Sequence, residues 1–594
     1  MSTRTIEHFF TGKSLEIPPY QRDYAWTTTN VDDLFDDILE AMEMGGSHYL
    51  GTFILSAGVT KESFKVVDGQ QRLTTLTMLL DAMVSALPDG DVKTYYRSTF
   101  LRHPVHGPKF TVLGENQAYF SALLEDENPP PATEGQARLM EAHGWIRQRV
   151  KAIRDAGGES AIQKWLVNIG RLEVLEFIEA EEGKAIRMFQ SVNDRGVPLS
   201  KMDIAKSLLI YYSNRFLAGE LDEFVAERFG SAFRDYSLIK GLAAKDGFEI
   251  RLVNRNAFRE DDVFRYHYFA FNVDRHTISV GFDYNASSET VLESFLKPTL
   301  KLLRGDSEKL GAFIRHYVSD LADFFATLRG LIEQTRVDKE LYMLFVVGDL
   351  AATLYPLTTR LAMRGVLRDC AYESNNLSLL QMIEIADLRV FKLRGTNPQA
   401  DILNLTRDSA DLPLREIANY IRWFVAKFMD DGMFESRLAA EEMYRNPGVL
   451  RILSAAEEEQ RALIGTGEFQ LQELVGLVRS GQTVEHVLPQ EPSFGVRAHG
   501  FATTDAYLGH IHRLGNLTLL ERALNSSCNN QAVETKMRDV KLYRSSGYEM
   551  TKSLAAIGAT KVPAFTRSDI DERSAHLARL CVARWPLWDY GDAN

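Results

Sequence analysis

QTVEHVLPQ (residues 482–490) and HRLGNLTLLERALNSSCNNQAVETK (residues 512–536) are the stretches that decide how the carboxy-terminal part of the chain reads. The first is an apolar, strand-like run that Pro489 brings to an end, because proline cannot donate to a ladder. It carries a histidine beside a carboxylate, Glu485-His486, and two asparagines nine residues apart follow, Asn516 and Asn525. Neutral imidazole is well suited to take a proton near pH 7, so His486 is the expected general base. A hard cation such as Mg²⁺ or Mn²⁺ prefers oxygen ligands and keeps several waters, which makes Glu485 and Asn525 its expected ligands. Strand neighbours point to opposite faces, so Glu485 and His486 share a face only where the strand ends or twists. Asn516, in Leu514-Gly515-Asn516-Leu517, completes the catalytic set by bracing the loop that bears His486. Such a set can deprotonate a water, hold one cation and set both against a phosphodiester.

Working outward, 594 residues are too many for one core and predict three or four domains. The longest apolar stretch, Leu341 to Leu357, contains Asp349 and Pro356 and is too short to span a bilayer. The first residues, MSTRTIEHFF, lack the apolar core of a secretory signal. Cys370, Cys528 and Cys581 are too few and too scattered for a disulfide framework or a cysteine-based zinc site. A reducing cytoplasm is therefore the expected location, with no membrane partner. The net charge of -13 argues against a basic coat for nonspecific DNA binding. From His510 to Lys552, however, seven Lys or Arg stand against four Asp or Glu, and Arg513, Lys536 and Arg538 are the expected DNA contacts there.

The first 215 residues hold three polar blocks. They are Tyr20-Gln21-Arg22 behind a proline-stiffened segment, Asp68-Gly69-Gln70-Gln71-Arg72, and Asn193-Asp194-Arg195-Gly196. Ser63 to Val67 reads as a strand, Asp68-Gly69 as a turn, and Gln71 to Ala86 as a helix with apolar residues at 73, 76, 79, 80 and 83. Gln70, Gln71 and Arg72 thus open a helix, where free N–H groups and the positive dipole end attract phosphate. Arg72 adds a bidentate anion clamp. Ser200 with Asp203 is a helix-capping pattern. The chain contains no P-loop sequence, so a nucleotide site here is of another kind.

Between the two ends, Glu289 to Leu303, Leu310 to Gln334 and Leu341 to Met363 carry helical periodicity and no catalytic constellation. Glu457-Glu458-Glu459 is expected on a solvated helical face, and the helix from Asp569 to Trp585 is expected to close over the nuclease.

Glu485-His486-Val487-Leu488-Pro489, Asn516-Leu517-Thr518-Leu519-Leu520 and Asn525 together resemble the HNH family of His-Me finger (ββα-metal) nucleases. Asn525 stands where that family more often has histidine, which favours a hard cation over zinc. The amino-terminal blocks look like those of GmrSD-type restriction enzymes, whose amino-terminal domain is related to the ParB/sulfiredoxin fold and whose usual partner is such a nuclease. The resemblance implies an α+β, mostly helical multidomain chain. Its parts would be a nucleotide-binding, DNA-sensing domain over 1–215, a helical connector and dimerisation region over 216–410, and a nuclease domain over 411–594 with its core at about 480–550. It also implies a type IV enzyme that cuts foreign double-stranded DNA bearing modified bases or backbone. A nucleoside triphosphate (GTP, UTP, CTP or ATP) would act at Tyr20, Gln21, Arg22, Asp68, Gly69, Gln70, Gln71, Arg72, Asn193 and Arg195. One active site per chain on a duplex makes a homodimer the expected assembly. The competing readings are a nucleotide-dependent DNA-binding regulator with a vestigial nuclease, and a nonspecific nuclease or RNase toxin.

Overall fold

The computed structural model describes residues 2–18, 21, 23–44, 49–58, 60–103, 107–112, 116–127, 129–179, 200–271, 281–372 and 376–589. Over these residues the chain is mostly helical with a mixed sheet, hence α+β. It forms two compact units. One comprises Met1–Ser237 with Ser288–Ala322, and the other Leu238–Ser287 with Asp323–Asn594.

The first unit is built on six strands: β1 (Ser2–Thr5), β2 (Ser14–Ile17), β3 (Tyr49–Ala57), β4 (Ser63–Asp68), β5 (Phe110–Val112) and β6 (Glu173–Glu179). Their order in the sheet is β1-β6-β3-β4-β2-β5. β3 and β4 pair antiparallel, while β2 runs parallel to both β4 and β5. Asp68 ends β4, and its carboxylate accepts the Gly69 N–H at 2.7 Å. Gly69 then turns the chain at φ 92°, and a Cβ there would lie 2.4 Å from the Phe53 ring, so only glycine fits. Helix α1 (Gln70–Ser85) starts at once, as the spacing predicts, and buries Leu73, Leu76 and Leu80 with Phe9, Phe53 and Ile146. The long α2 (Glu134–Arg171), which is not helical at Gly158, packs on α1. Helices α3 (Lys201–Phe216) and α4 (Asp222–Ala243) follow. Ser200 caps α3 by accepting the Asp203 N–H at 3.1 Å, as its sequence pattern predicts.

In the second unit, β7 (Gln482–His486) and β8 (Leu517–Glu521) form a two-stranded antiparallel pair among helices. The helices used below are α5 (Val449–Leu463), α6 (Arg522–Cys528), α7 (Glu549–Thr560) and α8 (Arg567–Arg584). Val487, Leu520, Tyr543, Leu554 and Ile570 form the core beneath the pair. Helix α8 covers the turn before β8: Ser574 Oγ accepts the Gly515 N–H, and Arg573 donates to the Gly515 and Leu517 carbonyls at 2.8 and 2.6 Å. A side chain at 515 would collide with the Ile570 carbonyl.

Two sequence expectations change. Glu457 is not on a solvated face: it is fully buried and accepts the N–H groups of Glu549 and Met550 at the start of α7. The helix expected over Leu341 to Met363 is interrupted, with Asp349 at φ 51° and a new helix, Tyr355–Met363, started by Pro356 in its first turn. No helix of the described residues is long and apolar enough to cross a membrane.

Candidate active site

The β7–β8 register sets Leu517 opposite His486 and Thr518 opposite Glu485. Alternation therefore puts Thr483 and Glu485 on one face of β7, and Val484 and His486 on the other. Helix α6 follows β8 directly, so strand β7, the short turn before β8 and helix α6 carry the expected residues in order.

His486 sits at the end of β7 and is 4 % exposed. Its Nε2 lies 3.0 Å from His512 Nδ1, and the Tyr444 ring lies 4.2 Å from its own, centroid to centroid. Tyr444 also stacks on His512, whose carbonyl accepts the N–H groups of Met443 and Tyr444. One proton is shared between the two rings; in the tautomer that places it on His486 Nε2, donated to His512, the His486 Nδ1 keeps its lone pair. Burial, then His512 and Lys536, push the imidazole pKa down to about 3, so it is neutral at pH 7. His512 lies inside the quoted motif without having been singled out, and Tyr444, some forty residues upstream, gave no sequence signal.

Asn516 is fully buried with its amide spent on backbone. Oδ1 accepts the Leu488 N–H at 2.8 Å, and Nδ2 donates to the Leu488 and Ile511 carbonyls at 3.0 and 2.8 Å. Its own carbonyl accepts the Val487 N–H. Asn516 thus fixes the segment that leaves His486, and its side chain faces protein.

Glu485, on the opposite face, is buried against Lys536. The Lys536 ammonium donates to Glu485 Oε1 at 2.6 Å and to the His486 carbonyl at 2.8 Å, and the Tyr543 hydroxyl also reaches Oε1. Burial raises the Glu485 pKa against the opposing pull of Lys536. Asn525, half-buried on α6, donates from Nδ2 to Thr483 Oγ1 at 2.7 Å, so it reaches the Glu485 face of β7. Its Oδ1 has no hydrogen bond among the described residues. A carboxylate and an amide oxygen are donor types that fit a hard cation, which would compete with Lys536 for Glu485. Among the described residues no group of three or more His, Cys, Asp or Glu could hold a metal ion.

The three expected DNA contacts have protein partners. Lys536 is fully buried on Glu485, so the structure gives it an internal partner where the sequence suggested a phosphate. Arg513 pairs with Asp571 at 3.0 Å. Arg538 is exposed and points at carbonyls of the α7 end, Gly558 and Lys561.

In the first unit, a cavity of about 390 Å³ is lined by Gln70, Gln71 and Thr74 of α1, by Gln21, Asp23 and Tyr24, and by residues of α3 and α4. Gln21 and Gln71 stitch its wall. Gln21 Nε2 donates to the Val67 carbonyl, while Gln71 accepts the Ala25 N–H and donates to the Asp23 carbonyl. The expected cluster divides here. Arg72 is not among the lining residues; its guanidinium lies against Gly51, where Asp68, Tyr49 and Asp37 act on it. Tyr20, Arg22, Asn193 and Arg195 lie outside the described residues. Lys206 of α3 lines the cavity and was missed, its only sequence signal being a place three residues after Asp203.

Comparison with known families finds two matched segments. Residues 6–210 match the family described as GmrSD restriction endonuclease, N-terminal domain, and residues 429–580 match GmrSD restriction endonucleases, C-terminal domain. No curated protein matches the chain.

Proposed function

Because its matched segments are the two domains of one family and span more than half its length, the chain belongs to the GmrSD restriction endonucleases, and on that premise we propose a type IV enzyme that cuts modified foreign DNA. In this reading the carboxy-terminal unit is an HNH-type nuclease, and the amino-terminal unit binds a nucleoside triphosphate that governs cutting. Two copies acting together would sever both strands.

The observation that carries the reading is His486, neutral and oriented by His512 at the end of a strand whose exit Asn516 fixes. His486 Nδ1 accepts a proton from water as the water oxygen attacks phosphorus. The bond from phosphorus to the leaving oxygen breaks, and that oxygen ends protonated. A base with a pKa near 3 is weak in the free protein. An approaching phosphodiester brings negative charge beside the ring, which raises its affinity for a proton. Glu485 and Asn525, on the other face of β7 from His486, would hold a divalent cation. That ion would stabilise the charge growing on the phosphate only where substrate draws Glu485 from Lys536 and the end of β7 twists to bring the two faces together. Asn516 and His512 touch no substrate in this scheme; they are positioning residues.

The test is a panel of DNAs carrying modified cytosines, phosphorothioates or no modification, plus tRNA, each incubated with the full chain, Mg²⁺ and either GTP, ATP or no nucleotide. Cutting confined to one class of modified DNA and altered by a nucleotide is the expected result. Equal cutting of unmodified DNA or tRNA would favour a nonspecific nuclease or toxin, and no cutting at all a regulator with a vestigial nuclease.

A further inference from the structure

Buried polar side chains are nearly always hydrogen-bonded, and buried charges nearly always paired. Two residues lining the amino-terminal cavity break this rule. Lys206 is 2 % exposed and has no hydrogen bond or ion pair among the described residues. Gln70 is 6 % exposed and, among the described residues, has no hydrogen bond to either end of its amide. Both are costly to keep without a ligand. Gln70 and Gln71 also form the first turn of the sixteen-residue helix α1, and Gly69 before them has no side chain to cap the free N–H groups. The positive end of that helix therefore lies at the same cavity.

We infer that Lys206, with Gln70 and the first turn of α1, receives the anionic group of the cavity's ligand. This rests on the reading above that the amino-terminal unit takes a nucleoside triphosphate, and it assigns the phosphate end. A volume of about 390 Å³ is that of a small-molecule site. The remaining walls suit the rest of a nucleotide. Ile17, Val112 and Phe233 are apolar, and Glu223 and Glu227 of α4 accept hydrogen bonds from sugar hydroxyls or base amino groups. Asp203 and Asp23 support the charge on Lys206, while burial lowers its pKa to about 8, so the ammonium stays largely protonated at pH 7. Arg72, the cation the sequence points to, is turned to Gly51 and Asp68.

The experiment uses the full chain and two readouts. Calorimetric titration with GTP and with ATP compares wild type, Lys206→Gln and Lys206→Arg. The expected result is an affinity at least about tenfold weaker for Lys206→Gln, the worth of one charge-assisted hydrogen bond, and partial recovery in Lys206→Arg. Independently of any variant, amine-selective labelling of the wild type, mapped by mass spectrometry, should show Lys206 protected by GTP and by tripolyphosphate but not by guanosine. Normal GTP binding by a folded Lys206→Gln, or unchanged labelling of Lys206 in GTP-saturated protein, overturns the assignment while leaving nucleotide binding intact. A wild type that binds neither nucleotide overturns the nucleotide reading and this inference with it.

Discussion

The two candidate sites balance their polar groups in opposite ways. Around β7 and β8 three of the expected residues have protein partners: Asn516 makes three backbone hydrogen bonds, Glu485 is paired with Lys536, and His486 meets His512. In the amino-terminal cavity, Gln70 and Lys206 are buried with no hydrogen-bond or ion-pair partner among the described residues. The first site is held rigid before substrate arrives, as positioning of a base demands. The second retains groups whose partners a ligand must bring, at a standing cost in stability.

That contrast can be broken by stability measurements on each unit, for example by pulse proteolysis in urea. The largest expected effect is Lys536→Met, which leaves the Glu485 carboxylate buried and unpaired and should cost the carboxy-terminal unit about 3–5 kcal/mol. The double variant with Glu485→Gln should recover most of it, and Mg²⁺ should recover part of the loss in the single variant. A loss under about 1 kcal/mol would mean the pair does not lock the strand. Asn516→Ala comes next, at about 1–3 kcal/mol for each backbone group it leaves unmatched in the interior.

Gln70→Leu should do the reverse. Removing an amide with no partner should leave the amino-terminal unit unchanged or about 1 kcal/mol more stable. A loss comparable to that of Asn516→Ala would show that Gln70 has a structural partner and would erase the contrast.

The smallest effect is one of pH. The folded His486 resists protonation down to about pH 3, whereas an unfolded histidine takes up its proton near 6.5. Between these values the unfolded state binds more protons, so this group's contribution to stability is full above pH 6.5 and falls with the pH below it. Wild type should therefore lose about 1 kcal/mol more than His486→Gln on going from pH 7 to pH 5.5. Parallel pH profiles for the two would mean the ring is not buried in its neutral form.

Local patterns were legible in the sequence where the partners are close along the chain. The turn at Asp68-Gly69, the helix it launches and the Ser200 cap follow from neighbours a few residues apart. The bracing role of Asn516 was legible too, because a Gly-Asn turn before an apolar strand leaves few other uses for the amide. Partners distant in sequence defeated the reading. Glu457 looks solvated among acidic neighbours, yet its acceptors meet N–H groups more than ninety residues away. Lys536 looks like a surface cation, yet the face that alternation gives Glu485 is interior and demands a countercharge. Arg72 and Gln70 are two residues apart, so helical rotation parts them by about 200° and only one can face the cavity.

Cleavage by His486→Ala is the most direct probe of the central claim, that one neutral imidazole at the end of β7 activates the water that breaks the DNA backbone. Single-turnover cutting of the preferred modified DNA in Mg²⁺ should slow by about 10²- to 10⁴-fold, with urea stability and GTP affinity kept. A folded His486→Ala protein that cuts at the wild-type rate would contradict it.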